Sequence, residues 1–167
     1  MDERLRSHYE SLSRAIWFTR SADSKAAPVL AVQVALVGTL AARGERLSSI
    51  IAENLWGLES AVLLVVLVVY GVFLIGAISC AIWVFVPMNP RTGRSLVYFE
   101  DIAAMDHESF QTQARNIRPN QIEGQLLDQV HRVSQVASVK MNRVRFAIFL
   151  SVPSGILWLV LLAWGSI

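Results

Sequence analysis

Three long stretches of the sequence contain no charged side chain and are separated by polar segments. These apolar blocks are residues 26–42, 61–86 and 146–164. Because about 20 apolar helical residues cross a hydrocarbon core about 30 Å thick, each block is predicted to form a transmembrane helix. The first block has 17 residues and includes Gln33, so it needs flanking residues or a thinner bilayer to span.

The polar segment before the first block, residues 1–25, is predicted to be an amphipathic helix. Its large apolar residues, Leu5, Tyr9, Leu12 and Ile16, recur at spacings of three and four. The same rhythm brings Asp23 onto the apolar face, whereas Lys25 points roughly the opposite way. We expect one continuous helix into the first block, with Pro28 as a possible kink.

The carboxyl half contains a heptad pattern that leads into the third block. Its members are Ile122, Leu126, Val130, Val133, Ala137, Met141 and Val144. Asn120 and Glu123 have capping-box spacing, which predicts a helix beginning near Asn120. Only Gly124 and Pro153 interrupt the pattern, so the helix is expected to continue through the third block.

The segment between the second block and this helix is predicted to be a small folded insert. Residues 87–94 are rich in turn formers. Ser95–Phe99 has the composition of a short strand, although the residues after it favour a helix, so both remain open. Asp106 is expected to cap a helix ending near Gln113, before Arg118 and Pro119. The fold class is an all-α membrane protein with three transmembrane helices, two of them continuous with cytoplasmic helices, plus this cytoplasmic insert.

Small side chains line one face of the first block and part of the second. They are Ala27, Ala31, Ala35, Thr39 and Ala42, followed by Gly71, Gly76 and Cys80. Small residues let helices approach closely in a bilayer. This pattern modestly favours a homo-oligomer and leaves an intramolecular bundle as the alternative.

The distribution of basic residues predicts the orientation. Residues 1–25 contain five Lys and Arg, residues 87–145 contain eight, and residues 43–60 contain two. By the positive-inside rule the amino-terminal helix and the 87–145 segment are cytoplasmic, and the 43–60 loop and carboxyl terminus are periplasmic. The net charge of +2 implies no nucleic-acid partner.

Catalytic and metal-binding patterns are not found in the sequence. The three histidines, His8, His107 and His131, fall on different predicted elements, and Cys80 is the only cysteine. No nucleophile elbow, phosphate loop or dinucleotide fingerprint occurs. We therefore expect neither an enzyme nor a bound metal or cofactor, with a membrane-bound enzyme as the weakest alternative.

Charged residues gather at the predicted cytoplasmic boundary. Asp23 is costly on an apolar face unless a cation meets it, and Lys140, Arg143 and Arg145 enter the bilayer from the same side. This grouping fits either a structural ion pair or the lining of a ligand pocket. Asp101, beside Glu100, is a candidate for recognising a hydroxyl or a base.

Three motifs in order resemble the membrane effectors of Pycsar antiphage defence systems: ADSKA (residues 22–26), SLVYFEDIA (95–103) and SQVASVK (134–140). The resemblance implies a partner cyclase that makes a cyclic pyrimidine nucleotide, cUMP or cCMP, during infection. It also implies that the effector binds this nucleotide and disrupts the inner membrane, so that growth stops or the cell dies before phage mature. The alternative is a constitutive membrane scaffold or accessory subunit.

The resemblance also gives the three motifs a candidate role in binding the nucleotide. A cyclic monophosphate has one negative charge and needs a cation, with polar groups for its ribose and base. The candidates are Lys25, Lys140 and Arg143 for the phosphate, Asp23 and Asp101 for a hydroxyl or the base, and Tyr98 or Phe99 for stacking.

Overall fold

The computed structural model describes residues 3–53, 57–87 and 95–164. Over these residues the protein is all-α, with helices α1 (Glu3–Ala41), α2 (Gly44–Glu53), α3 (Leu58–Phe85), α4 (Phe99–Ala103), α5 (His107–Asn116) and α6 (Pro119–Trp164). Helices α1, α3 and α6 are long and apolar enough to cross a membrane. The predicted fold class is confirmed.

Helices α1 and α6 are too long to be transmembrane segments alone. With 46 residues, α6 is about 69 Å long, more than twice the thickness of a hydrocarbon core. Helix α1 has 39 residues, and both helices continue through their internal prolines, Pro28 and Pro153. Each therefore joins a polar segment to an apolar one without a break, as the sequence predicts.

The chain divides into two compact units, and α1 and α6 contribute to both. One unit, which we call the polar unit, contains Met1–Ala22 and Pro87–Lys140. The other, the apolar unit, contains Asp23–Val86 and Met141–Ile167. The predicted turn at residues 87–94 lies outside the described residues, except for Pro87.

The apolar unit has a core of Leu63, Tyr70 and Leu161. Helix α2 lies in the segment predicted as a loop and was not anticipated from the sequence; Ile51 of α2 packs against this core. Gly76 of α3 allows a close approach to α6, because a Cβ atom there would lie 3.1 Å from Leu150 Cδ1. Of the predicted small residues of α3, Gly76 is thus used against α6, whereas Gly71 faces open space.

Two hydrogen bonds connect α1 to α6 in the apolar unit, and a third comes from a residue just after α1. Ser154 Oγ donates to Gln33 Oε1 (3.3 Å), and Trp158 Nε1 donates to Thr39 Oγ1 (2.9 Å). Beyond the end of α1, Arg43 Nη1 donates to the carbonyl of Leu162 (3.2 Å). Gln33 is fully buried, and its Nε2 has no hydrogen-bond partner within the described residues.

The heptad pattern of α6 is confirmed, because all seven members are buried or half-buried. The helix cap lies two residues earlier than predicted, with Gln121 in the role expected of Glu123. Gln121 Oε1 accepts from the backbone N–H of Arg118 (3.1 Å), and Pro119 is the first helical residue. Glu123 instead contacts His8 of α1 (3.2 Å), which connects the two helices in the polar unit.

The apolar stripe predicted for the first 25 residues is misplaced. Tyr9 and Ile16 are 51% and 39% exposed, whereas Ala15 and Ala22 are buried; the side chain of Leu5 lies outside the described part. Alanines form the buried face because small side chains permit close helix contact, a property that a pattern of large residues does not reveal.

The short strand considered for Ser95–Phe99 does not form. Residues 96–98 are bends, and α4 begins at Phe99. The cap at Asp106 is confirmed, since its Oδ1 accepts from Ser109 N (2.8 Å). Hydrogen bonds from the side chain and the backbone of Ser109 hold the pKa of this carboxyl below its usual value. Helix α5 extends three residues beyond the predicted end at Gln113.

Candidate ligand-binding site

The segment before α4 is held by side chains rather than by a strand partner. Asp101 Oδ2 accepts from Ser95 N (3.0 Å), and Ser95 Oγ accepts from Val97 N (3.1 Å) and Tyr98 N (3.3 Å). Short polar side chains often satisfy loop backbone in this way. Asp101, predicted as a ligand contact, is thus buried and supports the backbone of this segment.

Tyr98 is the N-cap residue of α4 and is also buried. Burial raises the pKa of its phenol, and the nearby Glu100 carboxylate, which accepts a hydrogen bond from the phenol, raises the pKa further. Both effects favour the neutral phenol. The side chain of Phe99, the other stacking candidate, lies outside the described part of the chain.

The basic candidates have different surroundings. Lys140, at the end of the polar unit, is buried, and an ammonium there is costly without polar neighbours. In the apolar unit, Lys25 is exposed and Asp23 is half-buried. The structure thus places Lys140 with Asp101 and Tyr98 in one unit, and Asp23, Lys25 and Arg143 in the other.

Arg143 is anchored to α3 within the apolar unit. Its Nη1 donates to the carbonyl of Trp83 (2.6 Å), and its guanidinium lies 5.2 Å from the centre of the Trp83 ring. A cation over an indole face is attracted to the ring quadrupole. Arg143 therefore has a structural role at this end of α3, while its assignment to a phosphate stays a prediction.

A surface pocket of about 460 Å³ lies in the polar unit. Its lining residues are Leu96, Gln113, Asn116, Ile117, Gln121 and Gln125. We call it the amide pocket, because four of these six residues have carboxamide side chains. Gln125 Oε1 accepts from Leu96 N (2.9 Å), which fixes one wall against α6. Leu96 follows Ser95, so Asp101 and Gln125 hold neighbouring peptide groups.

The amide pocket was not predicted from the sequence. Residues 111–125 contain four glutamines and two asparagines. This amide-rich composition was the available signal, but the side chains come together only through the packing of α5 near the start of α6.

The histidines do not converge on one site. His8 contacts Glu123, His107 contacts Gln111 (3.0 Å) and His131 contacts Gln135 (3.0 Å). Across residues 3–53, 57–87 and 95–164 no group of three His, Cys, Asp or Glu side chains could hold a metal ion.

Comparison with known families gives a match over nearly the whole chain. The family described as the Pycsar effector protein domain matches residues 8–166. The chain belongs to this family. Its family membership and its three apolar helices together identify the chain as a multi-pass membrane protein of antiphage defence. Pycsar membership also implies pairing with a cyclic nucleotide made by a cyclase. Searches of curated proteins and of solved structures found no match.

Proposed function

We propose that this effector binds a cyclic pyrimidine nucleotide, cUMP or cCMP, through its polar unit and then disrupts the inner membrane. Family membership supports the ligand class. The observation that supports the response is the continuity of α1 and α6, which each supply residues to the polar unit and to the apolar unit. Any nucleotide that changes these helices in the polar unit acts on helices that also form the membrane-spanning part.

The proposed action is a population shift without a chemical reaction on the nucleotide. A ligand can favour a leaky state only if it binds that state more tightly than the resting state. A shift from about 1:99 to 99:1 needs an affinity ratio of about 10⁴ between the two states. The sequence contains no catalytic motif that would suggest an enzymatic effect instead.

The proposed contacts follow the chemistry of the ligand. Within the polar unit, Lys140 would meet the phosphate, and Asp101 would meet a hydroxyl or the base. The assignments of Asp23, Lys25 and Arg143 stay predictions from the sequence. Tyr98 or Phe99 would stack on the base. Asp101 is best tested as Asp101→Asn, because an amide oxygen can still accept from Ser95 N while the negative charge is removed.

The proposed topology places residues 1–25 and 87–145 in the cytoplasm and the carboxyl terminus in the periplasm. Single cysteines at the exposed positions Ser13 and Ser134, in a Cys80→Ser background, test this orientation. Both should be protected from an impermeant maleimide in spheroplasts and react after permeabilisation. Labelling of either in intact spheroplasts would contradict the topology.

The decisive experiment is dye release from liposomes containing the purified chain. Addition of cUMP or cCMP should raise the release rate, whereas cAMP should not. Asp101→Asn should lower the response to the active nucleotide. A rate of dye release that neither cUMP nor cCMP changes would instead favour a constitutive scaffold. Size determination in detergent with and without nucleotide tests the proposed homo-oligomer.

A further inference from the structure

The carboxamides of the amide pocket are not equivalent, because two of them have committed oxygens. Gln121 Oε1 accepts from Arg118 N, and Gln125 Oε1 accepts from Leu96 N. These bonds fix each amide plane. Within the described residues neither Nε2 donates a hydrogen bond, so both amide nitrogens remain as oriented donors for a ligand.

Gln113 and Asn116, on α5, complete the polar lining. Both are exposed, and their side chains make no hydrogen bonds within the described residues. Each can turn its amide to donate or to accept. The pocket therefore combines two fixed donors with two adaptable groups, while Leu96 and Ile117 provide apolar surface. This arrangement suits a flat heterocycle with carbonyl acceptors along its edge.

Positive charge lies next to these residues. Arg115 precedes Asn116, Arg118 follows Ile117, and both arginines are exposed. No carboxylate of the described residues forms a salt bridge with either. Gln121 belongs to the first turn of α6, where the helix dipole is positive. A monoanionic ligand is therefore favoured at this end of the pocket.

We propose that the amide pocket binds the pyrimidine base of the cyclic nucleotide, with Arg115 and Arg118 supplying the charge for its phosphate. The inference rests on the proposed function for its ligand class, but it replaces the contacts proposed from the three motifs: the base goes to Gln121 and Gln125 and the phosphate to Arg115 and Arg118. Of the pocket lining, Leu96 alone belongs to a motif. Gln121 and Gln125 donate to base carbonyls, which are O2 in cytosine and both O2 and O4 in uracil. The volume of about 460 Å³ lies within the usual range for small-molecule sites.

Gln121→Glu and Gln125→Glu test the two fixed donors. Each change keeps the oxygen that accepts from Arg118 N or Leu96 N, so the local backbone keeps its partner. Each removes the amide donors and adds a negative charge beside an anionic ligand. In the full-length protein in detergent, affinity for the bound nucleotide, cUMP or cCMP, should fall about tenfold or more in isothermal titration calorimetry.

Matched controls are available on the same two helices. Gln111→Glu on α5 and Gln135→Glu on α6 change the net charge identically, but those amides contact His107 and His131 outside the pocket. Their affinities should stay within about twofold of wild type, since exposed charges at a distance are screened by salt. Unchanged thermal melting of all four variants would show that they remain folded.

The phosphate assignment has a separate readout. The double variant Arg115→Gln/Arg118→Gln should weaken binding and also flatten the dependence of affinity on salt concentration, because two charge contacts are lost. An unchanged salt dependence would overturn the role of these arginines.

The outcomes distinguish this inference from the proposed function. Wild-type binding of cUMP or cCMP with a loss only in the Gln121 and Gln125 variants supports both. Wild-type binding that all four glutamate variants retain overturns the amide pocket and leaves the proposed function standing. A wild-type protein that binds neither nucleotide overturns the proposed function, and the base assignment falls with it.

Discussion

The two units contain pockets of similar volume but opposite chemistry. The amide pocket of the polar unit measures about 460 Å³, and a pocket in the apolar unit measures about 430 Å³. The second is lined by Val37, Leu40, Ala41, Gly44, Ser48, Ile51, Leu67, Tyr70 and Leu74. A nucleotide entering the apolar pocket would lose its hydration and find few polar groups beyond the hydroxyls of Ser48 and Tyr70. Each polar group left unpaired there costs about 2–7 kcal/mol. Volume alone therefore does not identify a binding site.

The units also differ in what their buried polar groups do. In the polar unit, Asp101 and Ser95 satisfy nearby backbone groups. In the apolar unit, Gln33 Nε2 and the Tyr70 hydroxyl are buried with no hydrogen-bond partner in the described part of the chain. Buried side chains thus stabilise the backbone of the polar unit through hydrogen bonds, whereas the apolar unit keeps buried polar atoms that lack a partner among the described residues.

The largest expected effect comes from breaking α6 where the polar unit ends. Val139 is exposed and precedes Lys140, the last residue of that unit. Val139→Pro removes a helical hydrogen bond and introduces a steric clash, at a cost of about 3 kcal/mol or more. We expect nucleotide-dependent dye release to be abolished, because the helix shared by the two units is interrupted.

Val139→Ala is the control for this change and should release dye as the wild type does. A Val139→Pro protein with normal nucleotide-dependent leakage would show that the two units need no continuous α6, and the mechanism would fail.

The two units should respond differently to the loss of the same buried side chain. Leu126 in the polar unit and Leu161 in the apolar unit are both fully buried. Leu126→Ala loses hydrophobic burial from water and leaves a cavity, so the free energy of unfolding should fall by about 2–5 kcal/mol. Leu161→Ala should cost less, because lipid is as apolar as leucine and only packing is lost.

Thermal unfolding in detergent measures this difference, with Leu127→Ala and Leu159→Ala as controls. These leucines are 46% and 59% exposed, so their removal should change the unfolding free energy by no more than about 0.5 kcal/mol. An equal or larger loss for Leu161→Ala would contradict the assignment of the apolar unit to lipid.

The three long helices could be predicted because their sequence patterns are long and regular. The apolar blocks fall in α1, α3 and α6, and the seven heptad members fall in α6. The buried face of α1 could not be predicted in the same way. Ala15 and Ala22 contribute little hydrophobicity, and Tyr9 and Ile16 gave a stronger but misleading pattern.

The candidate site shows a different limit of sequence analysis. Asp101 and Lys140 were named from motifs, and the structure finds both buried in the polar unit. The amide pocket depends on Leu96 meeting Gln125, 29 residues later. No local pattern in the sequence indicates that pairing, because it follows from the bent conformation that Ser95 and Asp101 impose on the segment before α4.

A smaller effect is expected at the hydrogen bond between Gln33 and Ser154. Ser154→Ala removes the donor to Gln33 Oε1 and leaves the entire amide unpaired in an apolar environment. The cost should be about 1 kcal/mol, typical of polar contacts between membrane helices. Gln33→Leu removes the unpaired Nε2 together with the bond, so it should cost less or stabilise the protein.

The double variant Gln33→Leu/Ser154→Ala tests whether the two effects share one contact. In the Gln33→Leu background, Ser154→Ala should cost almost nothing. Additive effects would mean that Ser154 stabilises the apolar unit through something other than Gln33.

The smallest expected effect is an alkaline loss of stability that arises in the polar unit. The pKa of Tyr98 is raised above its ordinary value of 10.0 by burial and by the neighbouring Glu100 carboxylate. A group with a raised pKa in the folded state contributes stability below pH 10 and loses it as the pH rises through the folded pKa. Melting temperatures at pH 8 and pH 10.5 should therefore differ less in Tyr98→Phe than in wild type. Tyr9→Phe, on the exposed side of α1, should behave as wild type, so the difference isolates Tyr98. The same alkaline loss in Tyr98→Phe and wild type would mean that the Tyr98 phenol does not stabilise the folded polar unit.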